Sequence, residues 1–383
     1  MMHSPFFFED KPLRLSRFPV KQVNRSLQAW DATDEYLLSH CQEQNLLAGN
    51  KTVLVFNDSF GALACNLTDQ QVFSVSDSYL AQQGSQYNLE ENELNTNNVQ
   101  LLSSLDKLPT NVDVILYRIP KSNAQLSYQL SLIANTYHAS TPTFIAGAKA
   151  KDIHSSTLKL FEKFLGTTTT SLAKKKSRLV FAQLEKTHNT LAHQDCQWSL
   201  AHNELVMNIH NMAGVFSRES LDIGARFLLE HLPEVKANQQ VVDLGCGNGV
   251  LGLTLLAQQP AAHITFKDES FMAVASAEQN IAENLPELLS QCRFSADDCL
   301  TTEADNSADV IVCNPPFHQQ HATTDHIAWQ MFNDAKRVLK PGGELRIIGN
   351  RQLGYHIKLQ RVFSNCKTIA SNKKFVVLSS IKR

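Results

Sequence analysis

The sequence predicts an α/β protein of two tandem doubly wound domains, each a mostly parallel sheet with an antiparallel hairpin at one edge. Three observations carry that prediction. From Gln239 onward, short apolar runs alternate with helical stretches, which places parallel strands between covering helices. A glycine-rich turn, "DLGCGNG" (residues 243–249), interrupts the first strand-to-helix passage of that half. The N-terminal half repeats the same succession of runs in the same order, displaced by about 186 to 202 residues.

The elements of the second half follow in order. "QQVVDLG" reads as a first strand, and "VLGLTLLAQQ" as a helix stopped by Pro260. "HITFKD" is a second strand. "SFMAVASAEQNIAENL" is a helix with Ser270 at its N-cap and Pro286 beyond its end. "CRFSADD" and "DVIVC" are strands three and four. A helix over about residues 324–339 precedes a "PGG" turn and the strand "ELRIIGN". "KTIAS" and "KFVVLSSI" are close enough to form an antiparallel edge hairpin. Upstream, "FSRESLDIGARFLLEHLP" places Leu221, Ala225, Leu228 and Leu232 at helical spacing, with Ser217 or Ser220 as cap and Pro233 as stop.

Composition narrows the function classes. With 383 residues, two or three domains are expected at about 150 residues each. No apolar run approaches the roughly 18 residues of a membrane span. The "FFF" at 6–8 is followed by Glu9 and Asp10 and is too short for a signal peptide. A soluble cytoplasmic protein is expected. Cysteines 41, 65, 196, 246, 292, 299, 313 and 366 form no CxxC pair, which suits reduced thiols. The net charge of −2 hides asymmetry: residues 336–383 hold twelve Lys/Arg and one acid, Glu344. Lys11, Arg14, Arg17, Lys21 and Arg25 form a second basic run without an acid. Such runs suit a polyanionic partner, the plain alternative being a solvated face.

The glycine turn carries chemistry. Gly247, Gly249 and Gly252 match G-x-G-x-x-G, and a dinucleotide reading would put a pyrophosphate on the helix N-terminus. A tighter pattern, D-x-G-x-G-x-G, runs through Asp243, Gly245, Gly247 and Gly249, with Cys246 and Asn248 between the glycines. An acid on the last strand residue repels a pyrophosphate but suits the ammonium of a methionine moiety, and alternating glycines admit a cofactor without phosphate. The pattern points to S-adenosylmethionine. Ligands bind at the carboxyl ends of the strands in such a sheet. There Asp268, with Glu269 beside it, can accept from ribose hydroxyls, and Asp297 or Asp298 can face the adenine amine. Simple helix capping is the alternative for each acid.

After the fourth strand comes "NPPF", residues 314–317. Pro315 and Pro316 cannot continue a ladder and fix an extended backbone. The side-chain oxygen of Asn314 and the carbonyl of Pro315 form an acceptor pair matching the two N–H groups of an exocyclic amine. Phe317 offers a face for an extruded base. A rigid turn is the plain alternative. Cys313, His318, His321, Asp325 and His326 superficially resemble a metal cluster, but their spacing matches no structural zinc site, and no metal is expected.

"DLGCGNG" with "CNPPFHQQHATTD", "VFSRESLDIGARFLLEHLP", "GNRQLGYHIKL" and "NKKFVV" together resemble the two-domain ribosomal RNA guanine-N2 methyltransferases, specifically the ribosomal RNA large subunit methyltransferase G family. The resemblance implies two tandem Rossmann-like class I methyltransferase domains. It further implies methyl transfer from S-adenosylmethionine to a guanine N2 amine of 23S rRNA, position 1835 in the family's naming. Lys267 and Phe271, flanking the ribose acid, depart from the family pattern.

Within the first half, "VFNDSFGALAC" aligns with "VVDLGCGNGVLG" and "DVILYRIPK" with "DVIVCNPPF". This alignment predicts an internal duplication, with a degenerate RNA-binding domain over residues 1–190 and a catalytic domain over 191–383. Asn57 stands for Asp243, Ser59 for Gly245, and Arg118 for Asn314; only Gly61 persists. A worn copy should bind no S-adenosylmethionine. Its gain is charge: Arg118, Lys121, Lys149, Lys151, Lys174, Lys175, Lys176 and Arg178, suited to phosphate contacts. A monomer containing a pseudo-dimer, acting without metal or membrane, is expected. The rivals are adenine-N6 or glutamine-amide methylation, an NAD-dependent oxidoreductase, and a non-catalytic RNA-binding factor.

Overall fold

The computed structural model describes residues 6–8, 11–20, 27–316 and 321–383, with backbone alone described at 6–8, 11 and 321–325. The chain divides into two compact units, Met1–Gln194 and Asp195–Arg383.

The first unit runs β1 (Phe6–Phe8), β2 (Lys11–Leu13), α1 (Ala32–Glu43), β3 (Thr52–Phe56), α2 (Ala62–Asn66), β4 (Gln71–Ser76) and α3 (Tyr79–Glu91). It continues with β5 (Val99–Ser103), β6 (Val114–Arg118), α4 (Asn123–Tyr137), β7 (Thr143–Lys149), α5 (Ser155–Phe164), β8 (Thr168–Thr170) and β9 (Ser177–Ala182). Seven strands form one sheet in the order β5-β4-β3-β6-β7-β9-β8, parallel except where β9 joins β7 and β8. Side chains alternate across the pleat, so Val53 and Val55 pack with Leu37 and Leu63 on one face. Leu54 and Phe56 pack with Tyr117 and Leu130 on the other.

The second unit opens with an antiparallel hairpin, β10 (Cys196–His202) and β11 (Leu205–Asn211). Then follow α6 (Ile223–Leu229), β12 (Gln240–Leu244), α7 (Val250–Gln258), β13 (His263–Asp268), α8 (Phe271–Asn284), β14 (Cys292–Ala296) and β15 (Ala308–Cys313). The unit ends with α9 (His321–Val338), β16 (Leu339–Asn350), α10 (Tyr355–Phe363), β17 (Lys367–Ser371) and β18 (Phe375–Ile381). The sheet order β14-β13-β12-β15-β16-β18-β17 repeats the first sheet's order strand for strand. The strands are apolar on both faces because helices cover both: Val241 and Val312 face one cluster, Val242 and Ile311 the other. Each such fully buried side chain contributes about 1.5–3 kcal/mol.

Most expected elements are present, including the Ser270 cap on α8, which accepts from Ala273 N–H. Three details differ. The "PGG" segment lies within β16, as a bulge where the register to β15 shifts and Gly342 takes φ +84°. Helix α6 is short and begins at Ile223, capped by Asp222 rather than by Ser217 or Ser220, because the Asp222 carboxylate reaches Ala225 N–H at 2.9 Å. The β10–β11 hairpin was not expected from the sequence; it is held to α8 by Asn280 and Asn284, which bond the backbones of His210 and Asn208.

Candidate active site

Register places the site. Leu244 pairs with Lys267 of β13 and with Cys313 of β15, so the residues after β12, β13 and β15 share one rim of the sheet. On that rim Gly245, Gly247 and Gly249 all adopt left-handed backbone, with φ of +68°, +53° and +76°. Three such residues in five are tolerable only as glycine. The turn is pinned by Gly245 and Cys246 N–H donating to Lys267 O, and by Gly247 N–H donating to Asp268 Oδ2 at 2.9 Å. Asn248 is buried and donates to Asn211 Oδ1, tying the turn to β11. The glycines divide their labour: a Cβ on Gly249 would lie 2.7 Å from Ala277 Cβ, whereas one on Gly247 would meet nothing within 4 Å. Gly249 therefore serves packing, and Gly247 faces open space.

Asp243 is fully buried, and its Oδ2 accepts Gly252 N–H at 2.9 Å while Oδ1 has no hydrogen-bond partner among the described residues. Such an orphan acceptor costs about 1–3 kcal/mol unless something occupies it. Burial, reinforced by the nearby Asp268, pushes this carboxyl up to about 7 from 3.8. The protonated form therefore predominates below about 7, and an incoming ammonium favours the anion. We expect S-adenosylmethionine affinity to weaken about tenfold between pH 7.5 and pH 6. Isothermal titration across that range checks it, and Asp243→Asn should flatten the profile.

Asp268 is half-buried, bonded by Gly247 and Ser270 N–H, and its carboxyl is raised by desolvation against those bonds. Glu269 is exposed beside it. The two adjacent acids after β14 separate in role. Asp297 is bound by Thr301, Thr302 and Lys267, while Asp298, also buried, accepts from Gln330 at its Oδ1 at 2.8 Å. Lys267 turns into the protein, 2.8 Å from Glu303 and 3.2 Å from Asp297.

Asn314 follows β15 on the same rim. Its Oδ1 is buried without a partner among the described residues, and its Nδ2 lies 3.4 Å from Asp222 Oδ2. Pro315 is buried and Pro316 exposed; Phe317 and His318 lie outside the described residues, as do the side chains of His321 and Asp325. Sequence reasoning did not single out Asp222, Glu303 or the buried turn of Lys267. An Asp before an apolar helical run, and a lysine inside an apolar strand, are signals that could have found the first and third.

The first unit differs at the corresponding rim, and its strand register corrects the sequence alignment by two residues. Phe56 pairs with Val75 and Tyr117 as Leu244 pairs with Lys267 and Cys313, so Asn57 stands at Gly245, Ser59 at Gly247 and Gly61 at Gly249. Asn57 keeps the left-handed backbone at φ +61°, and Val55, not Asn57, takes the place of Asp243. The rim is filled by its own side chains. Asp58 accepts from Ala62, Leu63 and Ala64 N–H, and Asn57 and Gln129 bond each other through both amide ends. Arg118 is held by Asp31 and Asp34, each at 2.8 Å. Both acids therefore compete with any phosphate for this guanidinium. Lys121, Lys149, Lys151, Lys174, Lys175 and Lys176 are exposed, and Arg178 is half-buried. Of these, Lys174 and Lys175 meet Glu43 and Glu35 in exposed pairs worth little.

Among the described residues, no group of three His, Cys, Asp or Glu could hold a metal, and no helix is long and apolar enough to cross a membrane.

Residues 3–186 match the RLMG N-terminal domain, and residues 206–379 match the methyltransferase small domain. The ribosomal RNA large subunit methyltransferase G of Colwellia psychrerythraea is 56% identical over 100% of both chains. That of Pseudoalteromonas translucida is 50% identical over 97% of each. In fold, a T. thermophilus 16S rRNA N2 methyltransferase solved with AdoMet and guanosine superposes with a TM-score of 0.77 at 20% identity, covering 99% of this chain and 98% of that one. With a glycine turn and an Asn-Pro-Pro rim on a class I methyltransferase sheet, and with full-length relatives at such identity, the chain belongs to the ribosomal RNA large subunit methyltransferase G family.

Proposed function

We propose that this chain methylates the N2 amine of one guanine in 23S rRNA, position 1835 in the family's naming, using S-adenosylmethionine. The observation that carries the reading is the pair of orphaned buried oxygens on one rim, Asp243 Oδ1 and Asn314 Oδ1. Asp243 would take the cofactor's ammonium, the open side of Gly247 its methionine backbone, Asp268 with neighbouring Glu269 the ribose, and Asp298 the adenine amine. When bound, S-adenosylmethionine supplies an electrophilic methyl group on a sulfonium. Asn314 Oδ1 and the Pro315 carbonyl accept the two hydrogens of the target amine and so aim its lone pair. Positioning and exclusion of water then supply the acceleration, without a covalent nucleophile. Radiolabelled methyl transfer to unmodified 23S rRNA, with nucleoside analysis of the product, tests the reading; N6-methyladenosine or no label would overturn it.

The first unit reads as a duplicate of the second that has exchanged cofactor binding for RNA binding. The common strand order and the Gly61–Gly249 correspondence support duplication, and the side chains filling its rim argue against a second cofactor. Lys149, Lys151, Lys176 and Arg178 lie together, since β7 pairs with β9 at Lys149 and Ser177. Replacing Lys174, Lys175 and Lys176 with glutamate should weaken RNA binding and lower the slope of log affinity against log salt by about two to three. Filter binding from low to high salt measures it, and an unchanged slope would return this unit to a scaffold. One chain holding both copies would act as a monomeric pseudo-dimer.

A further inference from the structure

We infer that Asp222 selects guanine at the methylation site by accepting the N1–H of the base whose N2 amine Asn314 holds. The inference rests on the guanine-N2 reading above and sharpens it from an amine to one base edge. Asp222 Oδ2 is occupied by two donors, Ala225 N–H at 2.9 Å and Asn314 Nδ2 at 3.4 Å. Its Oδ1 accepts from no described residue, and the side chain is only half-buried. The contact to Asn314 has a second effect: it turns Nδ2 toward the carboxylate and leaves Asn314 Oδ1, buried and unpartnered, to face a ligand.

Among the described residues, Asp222 Oδ1 and Asn314 Oδ1 thus present two acceptors. Guanine matches such a set, because its N1–H and N2 hydrogens stand side by side on one edge and all are donors. A carboxylate accepting N1–H forms a charge-assisted bond. Adenine, 2-aminopurine and 2,6-diaminopurine carry a lone pair at N1, which the carboxylate repels. Discrimination then comes from leaving a polar group unpaired, the mechanism by which polar sites reject isosteres most strongly.

Asp222→Asn separates this role from capping, since Asn caps a helix about as well as Asp. Its amide oxygen can keep Ala225 and Asn314 while its NH2 faces the base and donates to an N1 lone pair. The full-length protein is tested on deproteinised 23S rRNA ligated from synthetic segments, with guanine or 2,6-diaminopurine at the methylated position. Wild type should favour guanine by roughly ten- to hundredfold in kcat/KM, and Asp222→Asn should reduce or invert that ratio by a similar factor. A ratio unchanged in Asp222→Asn, with wild type forming N2-methylguanosine, overturns the role of Asp222 and leaves the guanine-N2 reading standing. Absence of N2-methylguanosine from wild type overturns both.

Discussion

Asn314→Ala should lower methyl transfer to rRNA by about a hundred- to a thousandfold while changing S-adenosylmethionine affinity by less than about twofold. The split follows from where the side chain sits. Oδ1 is buried and has no partner among the described residues, so the substitution gives up only the 3.4 Å contact of Nδ2 to Asp222 and leaves the glycine turn pinned through Lys267 and Asp268. What disappears is the proposed acceptor for the amine, and with it the alignment that converts proximity into rate. Single-turnover methylation at saturating cofactor reads the first quantity and calorimetry the second. Parallel loss of both would mean that Asn314 builds the cofactor site instead. Near-wild-type turnover would remove its role altogether.

The sheet was legible because both faces of each strand are covered, so the apolar runs are continuous and their order survives in sequence. The cofactor rim was legible for a different reason: three left-handed residues in five favour glycine strongly and so leave a visible pattern. Charge was read less well. Arg118 and Lys267 are both held inside their own units, because Asp31, Asp34, Asp297 and Glu303 come from distant segments that only folding brings to them. The two-residue slip in aligning the halves has a local origin. An Asn in left-handed backbone substitutes for glycine, so identity at Asn57 pointed to Asp243 while backbone geometry points to Gly245. Phe317, the expected stacking face, lies outside the described residues.

Lys267→Met should cost the second unit about 3–5 kcal/mol, the largest stability effect expected of a single change here. The ammonium is almost wholly buried and serves Asp297, Glu303 and the Thr302 hydroxyl together. Removing it strands two acids that burial would otherwise neutralise, and Arg293, mostly exposed, compensates only at Glu303. Burial alone would push Asp297 up, yet bonds from Thr302 and Thr301 and the charge of Lys267 hold it below its usual range. A depressed folded pKa contributes stability above 3.8 that is lost as pH falls through it. The wild type should therefore lose this contribution in acid, and the variant should show a shallower acid dependence. Urea titration at neutral pH and near pH 4 measures both. Asp297→Asn combined with Lys267→Met should recover part of the loss, because the cost lies in the uncompensated charge and not in missing volume. If the double variant is no more stable than Lys267→Met alone, the lysine acts by packing its stem. If Asp298 holds the adenine as proposed, cofactor affinity should weaken as well in Lys267→Met, since the Asp298 backbone N–H is held by Asp297 Oδ1.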